Sequence, residues 1–109
     1  MKLKLVINKK DEANRMIVVS AIGLLVSLEN HLMTLEDCKK YMFNPSSISI
    51  LEKEGINEKV IEIIELGCAL EKTKSLTEIS ELKSKAKECL ENLPYTLDLN
   101  KDRKWLYRF

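Results

Sequence analysis

Few residues in this chain could carry out chemistry. There is one histidine, His31, and there are three cysteines, Cys38, Cys68 and Cys89. A nucleophilic thiol needs a base beside it, so the only pairing to consider is His31 with Cys38. A chain break expected around Thr34 separates the two, and their spacing gives the pair no support. Cys68 and Cys89 fall inside apolar stripes, where free cysteine behaves as a small buried hydrophobe. One histidine cannot build a multi-histidine metal centre, and no CxxC pair offers a zinc site. The glycines at 23, 55 and 67 stand alone, with no phosphate-cradling loop or nucleophile elbow around them. No catalytic residue, metal or cofactor is expected.

Charge offers two candidate surfaces. Glu58, Glu62 and Glu65 recur at i, i+4 and i+7, which sets them on one outward helix face. Such a ridge is first of all a solvated face, and second a surface for a basic partner. The other candidate lies at the chain ends. Residues 1–15 carry five bases and two acids, a net +3, and residues 95–109 carry four bases and two acids, a net +2. If the terminal strands shared a sheet, Lys2, Lys4, Lys104 and Arg108 would project together and could meet an anion or a phosphate backbone. A net charge of only +1 over the whole chain argues against nucleic acid. Lysines on strand edges also serve to block aggregation. Trp105, Tyr107 and Phe109 either close the core or anchor a partner, a role in which Trp and Tyr are enriched.

The elements that must position these residues follow from composition and pattern. With 109 residues, 45% hydrophobic and 32% charged, one domain spanning 1–109 is expected, and wholesale disorder is not. An odd number of cysteines without a framework spacing points to a reduced, cytoplasmic protein. Met16 to Leu28 is a 13-residue run without charge, following several basic residues, and so resembles a signal peptide. Asp11 and Glu12 interrupt the basic stretch, however, and no small-residue cleavage pattern follows. A membrane span needs about 20 apolar residues. The run is better read as a central buried helix, and no membrane association is expected.

Leu3, Leu5 and Ile7 alternate with other residues in the period of a strand. A helix should run from Asp11 or Glu12 to about Leu28. It is apolar on almost every side, so it should be surrounded by protein. Thr34 and Asp37 form a capping box opening a second helix, which ends before Asn44-Pro45. A third should run from about Ser47 to Glu54, closed by Gly55 with Ile56 as its apolar contact. Asn57 should cap a fourth, over roughly Glu58 to Lys72, with Val60, Ile61, Ile63, Ile64, Gly67, Cys68 and Leu70 inward. Ser75 and Glu78 form a second capping box, for a helix to Leu93 whose Ile79, Leu82, Ala86, Cys89 and Leu93 follow 3-4-3-4 steps. Pro94 stops it. Tyr95 to Leu99 and Trp105 to Phe109 alternate again, as a hairpin would.

The stretches GLLVSLENHLMTLEDCKKYMFNP and LEKEGINEKVIEIIELGCALE carry a resemblance. Ser27-Leu28-Glu29-Asn30, Phe43-Asn44-Pro45, Gly55-Ile56-Asn57 and Leu66-Gly67 resemble a family of small proteins of unknown function from low-GC Gram-positive bacteria. That resemblance implies no activity and no functional residue. It does imply a glycine where His31 stands, so a left-handed turn is expected on a histidine, a less tolerant residue.

The expected fold is therefore α+β. It is mostly helical, with about five helices and a small antiparallel sheet from the N-terminal strand and C-terminal hairpin. The expected function is non-enzymatic protein–protein interaction, with a protein partner or a second copy, in a form such as an immunity-type protein. Partner-binding residues would be Glu58, Glu62, Glu65, Trp105 and Tyr107. The alternative is anion binding through Lys2, Lys4, Lys104 and Arg108.

Overall fold

The longest apolar run folds as α1, Lys10–Glu29, with Asp11 and Glu12 in its first turn, where they complement the helix dipole. The structure, a computed structural model, describes residues 3–5, 7, 9–71, 76–94 and 106–108. Four more helices follow: α2 Leu35–Tyr41, α3 Pro45–Lys53, α4 Glu58–Cys68 and α5 Leu76–Asn92. Two three-residue strands, β1 Leu3–Leu5 and β2 Leu106–Arg108, bring the chain ends together.

Local side chains punctuate the helices much as expected. Thr34 Oγ1 accepts from Asp37 N at 3.1 Å, and Asp37 Oδ2 accepts from Thr34 N at 3.3 Å, completing the capping box of α2. Asn44 serves two helices at once. Its Nδ2 donates to the Lys39 carbonyl at 2.8 Å, and its Oδ1 accepts from Ser47 N at 2.8 Å. The third helix thus begins at Pro45, not Ser47, because proline suits the first helical position, where no amide hydrogen is needed. Gly55, at φ 70, closes α3. Asn57 Oδ1 accepts from Lys59 N at 2.8 Å at the start of α4. That helix stops at Cys68, short of the expected Lys72. The expected cap at Ser75 lies outside the described residues.

Helices α1, α4 and α5 build one continuous core, and α1 packs most extensively on α5. Arg15 near the start of α1 donates to the Leu90 carbonyl at 3.2 Å. Near its other end, Glu29 pairs with Lys83 at 2.6 Å and accepts from Ser80 at 3.1 Å. These two ties show that α1 and α5 run antiparallel. Val18, Ala21 and Leu25 meet the stripe of Leu82 and Ala86, together with Val60 and Ile64 of α4. Phe43, in the joint between α2 and α3, lies over Gly67. A Cβ built there would sit 2.5 Å from the ring Cδ1, so the closeness of the ring to the helix depends on glycine.

The α+β expectation is overturned: the fold is all-helical. Every buried residue among those described lies in the helices, in the joints between them or, for Leu93, directly after α5. The terminal ladder has three antiparallel pairs, Leu3 with Arg108, Lys4 with Tyr107 and Leu5 with Leu106. A two-stranded ladder of that length is marginal by itself and makes no layer for helices to pack on. Period-2 alternation at the chain ends was therefore a weak guide to class. The expected hairpin lies largely outside the described residues. No helix among them is long and apolar enough to cross a membrane.

Candidate interaction surface

Helix α4 presents the acidic ridge. Its sequence, EKVIEIIELGC, buries Val60, Ile61, Ile63, Ile64 and Gly67 and half-buries Leu66 and Cys68, so its acidic positions face out. Glu58, Glu62 and Glu65 are all exposed there, as their spacing predicts. The helix beneath them is held firmly. Asn14 is almost wholly buried, and its Oδ1 accepts from Asn57 N at 3.0 Å, tying the start of α1 to the start of α4. The Phe43 ring holds the other end at Gly67.

The ridge has basic flanks. Cys89 of α5 feels Lys59 on one side and Glu62 on the other, and burial pushes its thiol above the ordinary range. Cys68 is pushed up in the same way by burial, with Lys39 and Glu65 opposing each other nearby. A cleft of about 490 Å³ opens at the start of α4, lined by Glu58 and Lys59 together with Ile56, Cys89 and Leu93.

A second surface was not foreseen. Helix α1 buries Asn14, Val18, Ala21 and Leu25 on one side, but the opposite side remains open. Val19 is 49% exposed and Val26 38% exposed, with an exposed Gly23 between them. Among the described residues nothing lies within 4 Å of where a Gly23 Cβ would be. The expectation of a helix enclosed all round is corrected accordingly. In sequence nothing sets Val19, Gly23 and Val26 apart from Val18, Ala21 and Leu25, which also recur at steps of three and four.

The potential nucleophiles are poorly placed for chemistry. His31 is exposed, in the turn after α1. Cys38 is fully buried against α1, where its Sγ lies 3.7 Å from the Leu24 carbonyl. Burial raises the thiol above its ordinary range, and Asp37 adds to the effect. A raised, enclosed thiol is a poor nucleophile. Among the described residues no group of three His, Cys, Asp or Glu could hold a metal ion.

The terminal candidates are brought together only in part. Lys4 stands opposite Tyr107 and Arg108 opposite Leu3, so the register does not set the two basic residues side by side. Lys2, Lys104 and Trp105 lie outside the described residues.

Neither a curated protein nor a solved structure matches this chain. A family does match, over residues 8–107, nearly the whole length. It covers all five described helices and β2 up to Tyr107 but leaves out β1, and it agrees with the expectation of a family without an assigned activity. The chain belongs to the family described as Protein of unknown function (DUF3969).

Proposed function

We propose that the chain is a non-enzymatic protein–protein interaction module, with the open face of α1 as its principal contact. The observation that carries this reading is the exposure of Val19 and Val26 on either side of an uncovered Gly23. A helix this apolar normally loses such a face to protein, and apolar surface left in water favours association. Glu58, Glu62 and Glu65 supply the second contact, suited to a basic target of the kind an immunity-type protein blocks. Trp105 and Tyr107 are further candidates. Three free cysteines support a reducing, cytoplasmic compartment, and the resemblance of residues 22–70 supports a low-GC Gram-positive source.

Capture from native lysate tests this reading, run beside sedimentation of the purified chain. A stoichiometric protein, or a second copy, should be retained by the wild type. It should be lost with Val26→Glu, and weakened with Glu62→Lys, which removes part of the attraction to a basic target. Ile50→Ser, at an exposed position on α3, should change nothing. Retention that ignores both Val26→Glu and Glu62→Lys would overturn the proposal.

A further inference from the structure

We draw no further inference here: the strongest candidate, the open apolar face of α1 at Val19, Gly23 and Val26, belongs to the surface already described, and nothing in the structure shows what covers it.

Discussion

Two turns in this molecule are built alike and end differently. After α1, His31 N donates to the Leu28 carbonyl at 3.2 Å and Leu32 N to the Ser27 carbonyl at 2.9 Å. After α3, Gly55 N donates to the Glu52 carbonyl at 3.1 Å and Ile56 N to the Leu51 carbonyl at 3.0 Å. Both are Schellman closures, with the pivot in the left-handed region, at φ 58 for His31 and φ 70 for Gly55. Beyond the pivot they diverge. Ile56 is only 7% exposed and joins the core, whereas Leu32 is 77% exposed. The backbone pattern of a helix end is a local matter. Whether the next side chain finds a partner depends on what stands beside it.

The difference extends beyond the turns. The α3–α4 joint lies where Asn14 ties α4 to α1. The α1–α2 joint follows the open face of α1, only a turn beyond Val26. One joint is part of the framework, and the other borders the surface proposed for a partner.

The comparison breaks most directly at the two apolar residues. Ile56→Ala should destabilise the fold by about 2–5 kcal/mol, as buried aliphatic truncations do. Leu32→Ala should fall within about 0.5 kcal/mol of wild type. Urea denaturation of both variants measures this, and equal losses would erase the distinction between the joints. Next in size is Gly67→Ala, which thrusts a methyl at the Phe43 ring. Overpacking of this kind costs about 1–3 kcal/mol, although alanine favours helix over glycine. A neutral or stabilising result would mean that Phe43 is not held as described.

The pivots sharpen the comparison from the other direction. Gly55→Ala should cost about 1–2 kcal/mol, because a side chain is strained in the left-handed region. His31→Gly should stabilise by about 0.5 kcal/mol, since relief of that strain outweighs the greater freedom of glycine in the unfolded chain. Thermal unfolding of the two variants should therefore shift in opposite directions. Shifts of the same sign would show that the two turns are not equivalent.

The smallest effect concerns pH. The bond from Lys83, with help from Ser80, holds the Glu29 carboxyl below its ordinary value of 4.5. A depressed carboxyl stabilises the fold above its unfolded value, and that contribution is lost as pH falls through the folded one. Stability should thus decline below about pH 4.5, and Glu29→Gln should flatten that part of the profile. An unchanged acid limb would show that this tie between α1 and α5 adds nothing.

The residues chosen from sequence as a partner surface were legible to different degrees. Glu58, Glu62 and Glu65 face outward because a helix with five buried positions leaves few others for its acids. The open face of α1 was missed because Val19 and Val26 look no different from Val18 and Leu25 when apolar residues fall on every side. Asn14 was missed too. A single asparagine near the start of a helix gives no sign that it will be buried against the start of another, some forty residues later.

Sequence by itself determined much of the helix punctuation, though not the stop of α4 at Cys68. The Thr34 box, the Asn44 and Asn57 caps, the Gly55 pivot and the 3-4-3-4 stripe of α5 all involve residues a few positions apart. Covalent geometry and hydrogen-bond reach decide such features within a single turn. Only the tertiary structure decided that the fold is all-helical, which side of α1 is covered, and that Lys4 pairs with Tyr107 and not with Arg108. Those outcomes rest on contacts between residues distant in the chain. Such contacts are won by whichever packing buries the most apolar surface, and periodicity in one segment cannot rank them.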